Sequence, residues 1–279
     1  MAAEFEEISM SDEEFNKFRK LIYEQVGINL LPHKKIMLQG RIRKRLNKLG
    51  MSSFKEYYVL VQEDRSELIE MFNVVSTNKT EFFRENHHFE FLKEIIPSII
   101  EKNRKENLNK LSIWSSASST GEEPYTIAMT LMDFPILKNW DVKIIASDIS
   151  TTVLTKAHAG VYHDEAMRHV PKEMVKKYFI PIDDGSYRIS DNLKELVKFK
   201  RINLISENHP FKGEFEIIFC RNVMIYFDRQ TQINIINNFL RYLKKGGYLI
   251  LGSSESLPVE VVKENRLKRV KSTIYEKIM

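Results

Sequence analysis

The sequence predicts an α/β protein in two parts: an all-helical domain over residues 1–85, then a sheet domain over 86–279 carrying a small inserted antiparallel β subdomain at about 161–196. Three observations predict it. Up to about residue 100, apolar residues recur at spacings of three and four, the period of an amphipathic helix. Beyond Lys110, short β-branched and aromatic runs alternate with helix-patterned segments, the rhythm of a parallel sheet covered on both faces. Between Val161 and Leu196 that rhythm breaks, and Tyr178-Phe179-Ile180-Pro181, the turn Asp183-Asp184-Gly185 and Tyr187-Arg188-Ile189 read as a hairpin.

Taken in order, Ser11 and Glu14 form a capping-box signature ahead of Phe15, Phe18, Ile22 and Val26, and Gly27 stops that first helix. A basic helix is expected from about Lys34 to Leu49, ended by Gly50. Ser53 with Glu56 caps a third, and a fourth spans roughly Arg65 to Val75. The run His88 to Ile100 is helix-patterned, with Pro97 expected to bend it or end it early. Candidate strands follow at Leu111–Trp114, Val142–Ser147, Val197–Ile202, Phe215–Cys220 and Tyr248–Gly252, with a last strand over Lys268–Lys277. Thr231 to Leu243 reads as a crossover helix closed by Lys244-Lys245-Gly246-Gly247.

Bulk properties bound the function. The chain has 279 residues, 43% hydrophobic and 29% charged, which is enough for a sizeable core and is not the composition of a disordered chain. No apolar run approaches the roughly 20 residues that cross a bilayer, and the start MAAEFEEISMSDEE is acidic where a signal peptide is basic and then apolar, so the expected location is cytoplasmic. The single cysteine, Cys220, excludes an internal disulfide and a multi-cysteine metal site. His87 and His88 are adjacent, so on a helix they are expected to point apart and form no metal site.

Net charge is only +5, but it is unevenly spread. Residues 1–14 hold Glu4, Glu6, Glu7, Asp12, Glu13 and Glu14 with no base, whereas His33 to Lys48 hold seven Lys and Arg with no acid. Arg41 and Arg45 lie one turn apart, as do Lys44 and Lys48, which reads as a positive ridge. Such a ridge is either a solvated face or a docking surface for an acidic partner.

Polar residues fall at successive strand ends, where an open α/β sheet binds its ligand. The stretch IWSSASSTGEEPYTIAM, from Ile113 to Met129, is a strand, a tight loop and a helix, but it lacks the G-x-G-x-x-G of a dinucleotide site and the pattern of a phosphate loop. Asp148 ends the second strand, where a carboxylate can accept from both ribose hydroxyls or can cap the helix beginning at Thr151. Asn203 ends the third strand, and Arg221-Asn222 the fourth. Glu123 reads as a helix-start residue paired with Thr120, leaving Glu122 as the better ligand.

Three segments, Ser76 to Glu85 (STNKTEFFRE), Trp114 to Tyr125 and Phe219 to Asp228 (FCRNVMIYFD), resemble the bacterial chemotaxis receptor methyltransferases, the CheR family. The resemblance spans nearly the whole chain. It implies a Rossmann-like class I methyltransferase sheet domain and an S-adenosylmethionine-dependent enzyme that esterifies glutamate side chains on the cytoplasmic helices of methyl-accepting chemotaxis receptors, with S-adenosylhomocysteine as product and no metal. Carried onto this sequence, it implies that Asn78, Thr80 and Arg84 reach the cofactor, with Arg84 near its carboxylate. Glu122 would lie in the first strand-to-helix loop, Asp148 on the ribose, Asn203 and Leu204 near the adenine, and Arg221 and Asn222 beside the methionine part. Tyr226 would stand close to the transferring methyl. Receptor helices would dock on Arg41, Lys44, Arg45 and Lys48, and the inserted β subdomain would be a second contact, for a receptor C-terminal peptide. Neither nucleic acid nor membrane insertion is implied.

Overall fold

The computed structural model describes residues 9–182 and 185–278, which leaves Glu4, Glu6, Glu7 and the turn residues Asp183 and Asp184 outside the described residues. Two compact units result. Among the described residues, one contains the chain up to Thr77 together with Tyr226–Thr231, and the other contains the rest, from Asn78 to Ile225 and from Gln232 onward.

The first unit is built on four helices, α1 (Asp12–Val26), α2 (Lys35–Leu49), α3 (Phe54–Glu63) and α4 (Arg65–Val75). The expected caps are present: Ser11 and Glu14 close a capping box, and Gly27 ends α1 at φ 74°, a left-handed geometry that costs glycine little. Ser53 accepts from the Glu56 amide at the start of α3. Phe18, Ile22, Leu38, Ile42, Leu46 and Tyr57 form the interior. Through that interior runs a charged contact. Arg45 grips Glu67 with two hydrogen bonds, 2.8 Å from Nε and 2.6 Å from Nη2, and the Tyr57 hydroxyl donates to the same carboxylate at 2.8 Å.

The segment Ser76–Asn86 between the expected helices is not helical, and the second unit begins within it at Asn78; Phe83 and Glu85 both take φ 56°. Helix α5 (His87–Lys105) then runs through Pro97 instead of ending at it. Burial of Phe89, Leu92, Ile95, Ile96 and Ile99 along one face outweighs the roughly 3 kcal/mol that an interior proline costs. After it come β1 (Lys110–Ser115), α6 (Glu122–Leu131), β2 (Asp141–Asp148), α7 (Thr151–Ala159), β3 (Val161–His163), α8 (Lys172–Tyr178), β4 (Phe179–Ile182), β5 (Ser186–Ile189), α9 (Asp191–Leu196), β6 (Val197–Arg201) and β7 (Phe215–Cys220). Helix α10 (Arg229–Tyr242), β8 (Leu243–Leu251), α11 (Val259–Glu264), β9 (Leu267–Lys271) and β10 (Ile274–Lys277) complete the chain.

The main sheet has the order β6-β2-β1-β7-β8-β10-β9. Strands β6 through β8 are parallel, and β10 and β9 are antiparallel additions at one edge. Chain order reverses between β1 and β7, which makes their carboxyl ends the switch point. The insertion forms its own antiparallel sheet, β3-β5-β4, three strands where the sequence suggests a hairpin.

Two further expectations change. Lys268–Lys277 is not one strand but a hairpin turning at Ser272-Thr273, where Arg269 Nε donates to the Ser272 carbonyl at 2.8 Å. Lys244-Lys245-Gly246-Gly247 does not close a helix but begins β8. The glycine is needed for strand contact: a Cβ on Gly247 would lie 2.8 Å from the Glu216 carbonyl oxygen.

Because Arg45 and Glu67 are nearly enclosed (10% and 7% side-chain exposure), removing one partner strands the other charge. Glu67→Ala is expected to lower stability by about 3 kcal/mol, read by urea unfolding of the whole chain; a change within about 0.5 kcal/mol, the range of ordinary surface substitutions, would show the pair to be energetically idle.

Candidate functional site

The loop from β1 to α6 is tied across the neighbouring strand ends. The Ser116 amide donates to the Phe219 carbonyl at 2.8 Å, and the Ser118 amide to the Ser147 carbonyl at 2.9 Å. Ser119 (φ 48°) and Gly121 (φ 98°) turn the chain sharply into α6. At Gly121 no side chain fits: a Cβ would come within 2.9 Å of both the Ala157 Cβ and the Tyr162 hydroxyl.

Asp148 is the pin of this loop. It is 9% exposed, and its two carboxylate oxygens accept the Ser119 and Ser150 amides, each at 3.0 Å. Burial raises its pKa, and the backbone N–H groups counter that rise. The helix-cap reading is corrected, since Ser150 caps α7 by accepting the Val153 amide. The Ile202 amide donates to the Asp148 carbonyl at 3.1 Å, so Asn203 and the buried Leu204 follow directly beside β2, with the Asn203 side chain accepting the Ile205 amide at 3.4 Å.

The segment before α5 joins this loop. Ser119 Oγ donates to the Asn78 carbonyl at 2.9 Å, and Thr80 lines a cavity of about 650 Å³ together with Thr120, Glu122, Lys156 and Tyr162. Arg84 is half-buried and donates from Nη1 to the Lys79 carbonyl at 2.9 Å. The roles expected of the two glutamates at the start of α6 are exchanged in part. Thr120 pairs with Glu122, at 2.9 and 2.7 Å to its two oxygens, while Glu123 accepts from Ser115 Oγ at 2.7 Å and from Arg221 Nη1 at 2.9 Å. Glu122 remains buried against the cavity, and burial raises its pKa.

At the tip of β7 the charges are held by one another. The Arg221 side chain is 2% exposed, lies 5.5 Å from the Phe89 ring centroid, and bridges Glu123 and Glu85. Asn222, in left-handed geometry at φ 57°, donates its side-chain amide to Glu85 at 3.0 Å. Its backbone amide goes to Glu255 Oε2 at 2.9 Å. Neither Glu85 nor Glu255 was singled out from the sequence. Glu85 closes the Ser76 to Glu85 segment but had no role assigned, and Glu255 lies in Ser253-Ser254-Glu255-Ser256, where the only local signal is a glycine at the strand end followed by an acid.

His88 is buried and its Nε2 lies 3.0 Å from Thr273 Oγ1. The expectation that His87 and His88 point apart is corrected, because their ring centroids are 4.1 Å apart. Both sit in the first turn of α5, where no preceding turn restricts their rotamers.

The remaining candidates belong to the first unit. Arg41 donates to Thr77 Oγ1 at 2.9 Å and to the Val75 carbonyl; burial lowers its pKa, and the nearby Tyr226 hydroxyl raises it. The Tyr226 carbonyl accepts the Asn29 amide at 2.8 Å. The four-residue ridge on α2 is therefore corrected: Arg45 is turned to Glu67 and Arg41 to Val75 and Thr77, and only Lys44 and Lys48 of the four are exposed. Cys220 is fully buried at the end of its strand, and burial raises its pKa.

Comparison with known proteins places this geometry. The all-alpha domain of the CheR methyltransferases matches residues 13–76, and the SAM binding domain of the same family matches residues 78–275. A chemotaxis protein methyltransferase of Borreliella burgdorferi is 40% identical over 255 residues, covering 90% of each chain. One from Escherichia coli is 38% identical over 256 residues, 90% of this chain and 87% of its own. Chemotaxis protein methyltransferase 2 of Pseudomonas aeruginosa is 36% identical over 275 residues, 97% and 95% of the two chains.

The buried charges make acid stability a test of this network. Burial alone would raise the Glu85 carboxyl, but the Asn222 amide, the Arg221 charge and the Ser253 amide bring it from 4.5 down to about 2. Burial, with Arg221 and His87 nearby, lowers His88 from 6.5 to about 3. Both groups hold fewer protons folded than unfolded, so the stability they contribute falls as pH drops: first below 6.5 through His88, then from 4.5 toward 2 through Glu85. Urea unfolding at stepped pH should show both losses, and Glu85→Gln should remove the lower one while reducing stability at neutral pH. An unchanged profile in that variant would contradict the pairing.

Proposed function

The chain belongs to the CheR methyltransferase family, and from that premise we propose that it transfers a methyl group from S-adenosylmethionine to glutamate side chains of chemotaxis receptor helices. The products are a glutamate methyl ester and S-adenosylhomocysteine. The observation that carries the reading is the pinned Asp148 at the end of β2, next to the switch point, in a chain matched in both domains.

The residues present fit the cofactor. The Asp148 oxygens accept the Ser119 and Ser150 amides, and the carboxylate has further lone-pair capacity with which to receive a ribose hydroxyl. The Ser118 hydroxyl in the same loop is buried without a hydrogen-bond partner among the described residues. Arg84 has five N–H donors, of which a cofactor carboxylate can take those beyond the Lys79 contact. Asn78, Thr80 and Glu122 complete the amino-acid end, Asn203 and Leu204 flank the base, and Asn222 borders the methionine part. Arg221, enclosed by Glu85 and Glu123, acts by holding Asn222 and the loop in place.

When bound, S-adenosylmethionine supplies an electrophilic methyl on its sulfonium. The acceptor needs no general base, because a glutamate side chain titrates near ~4.3 and is already ionised at neutral pH. The chain's contribution is alignment, where a well-oriented pair gains roughly 7 to 11 kcal/mol over a bimolecular encounter. Tyr226, expected near the methyl, then has no proton to move and acts by packing.

Receptor docking is assigned to Lys44 and Lys48, the two exposed members of the basic block on α2. Their charge raises the encounter rate with an acid-bearing helix, an effect that salt screens. A receptor-tail peptide is a second contact, favoured by the edge position of β4, which among the described strands pairs only with β5 and exposes Ile180 and Ile182. Calorimetry against receptor-tail peptides measures it directly.

Three measurements test these assignments. Incubation with tritiated S-adenosylmethionine and receptor-enriched membranes should leave label that mild alkali releases as methanol; alkali-stable label would exclude a glutamate ester. Asp148→Asn should weaken S-adenosylhomocysteine binding by roughly ten-fold or more, the effect of losing a hydrogen bond to a charged group, by calorimetry on folded protein. The pair Lys44→Glu and Lys48→Glu should raise the receptor KM several-fold at low salt, with the gap closing as salt rises and cofactor affinity unchanged.

A further inference from the structure

The segment after β8 carries a buried carboxylate that the reaction does not call for. Glu255 is 6% exposed. Its Oε2 accepts the Gly252 amide at 2.7 Å and the Asn222 amide at 2.9 Å, and its Oε1 accepts the Met224 amide at 2.8 Å. The side chain is folded back by a turn in which the Glu255 amide donates to the Gly252 carbonyl at 2.9 Å. One carboxylate thus ties the tip of β8 to the loop leaving β7.

The geometry around it leaves little freedom. Asn222 holds φ 57°, which a non-glycine residue adopts rarely. A Cβ on Gly252 would lie 2.7 Å from Asn222 Nδ2 and 2.8 Å from Glu255 Oε2, so a larger residue at position 252 would break the arrangement. With its backbone amide fixed by Glu255, Asn222 aims its side-chain amide at Glu85.

We propose that Glu255 is a positioning residue for methyl transfer: it fixes the left-handed backbone of Asn222, and so sets where the Asn222 side chain meets the cofactor. The inference rests on the reading of Asn222 as a cofactor contact. Three backbone N–H groups converge on the two oxygens, which only a carboxylate can serve from both atoms. In a glutamine one oxygen becomes an NH₂ and faces a donor.

A double-mutant cycle tests it, with affinity for S-adenosylhomocysteine measured by calorimetry and folding followed by circular dichroism. Asn222→Gly removes the side chain while tolerating the positive φ. Glu255→Gln is expected to weaken binding by roughly ten-fold, the scale of a charge-assisted hydrogen bond. In the Asn222→Gly background the same change should cost little. Glu255→Asp, which keeps two acceptor oxygens, should recover part of the affinity, and it replaces Glu255→Gln in the cycle if that variant does not fold. Equal losses in both backgrounds would overturn the proposal, because Glu255 would then act independently of Asn222; so would an unchanged affinity in the Glu255 variant. If Asn222→Gly alone leaves affinity unchanged, the assignment of Asn222 to the cofactor fails first and the proposal falls with it.

Discussion

Carboxylates wholly or partly enclosed around the tips of parallel strands have to be satisfied, and in this chain the way they are satisfied shapes the site. Asp148, Glu85 and Glu255 each accept from two or more groups on separate segments. A buried unpaired carboxylate is costly, whereas one that receives backbone N–H groups is stabilised in its charged form. Each acid therefore works as a clamp. Loops that would otherwise be independent are drawn together because the alternative is an unsatisfied charge.

Arg221 shows the same logic with the opposite sign. A buried ion pair stabilises little compared with an apolar replacement of equal volume. Its use here is geometric, since a planar guanidinium bridging Glu85 and Glu123 sets the spacing between the segment before α5 and the start of α6. The Phe89 ring supports it from below. Precision at a methyl-transfer site has value of its own, because the rate depends on the alignment of donor and acceptor.

Much of this was legible from local pattern. The caps of α1 and α3, the stops at Gly27 and Gly50 and the acid at the end of β2 are all signalled within four residues of where they act. What was not legible is non-local. Spacing alone made Arg41 and Arg45 a surface ridge, but Arg45 is answered by Glu67, 22 residues away on another helix. Pro97 looked like a helix end because its local penalty is visible and the burial of the isoleucines around it is not. Lys244-Lys245-Gly246-Gly247 looked like a helix stop because the close approach of β7, which requires the glycine, comes from pairing with a strand elsewhere in the chain.

The two glutamates at the start of α6 show why type and position did not suffice. Both are acidic, both lie in the first turn, and the macrodipole there favours either. They are separated by what faces them: a one-residue step along a helix rotates the side chain by about 100°. Glu123 turns toward the Arg221 guanidinium and the Ser115 hydroxyl, and Glu122 toward Thr120 and the cavity. Burial without a cationic partner leaves Glu122 with a raised pKa, while Glu123 is held by charge. The residue held only by a neighbouring hydroxyl is the one that can accept further hydrogen bonds from a ligand, and that asymmetry comes from the arginine at the end of β7, not from any property of the loop in which the glutamates lie.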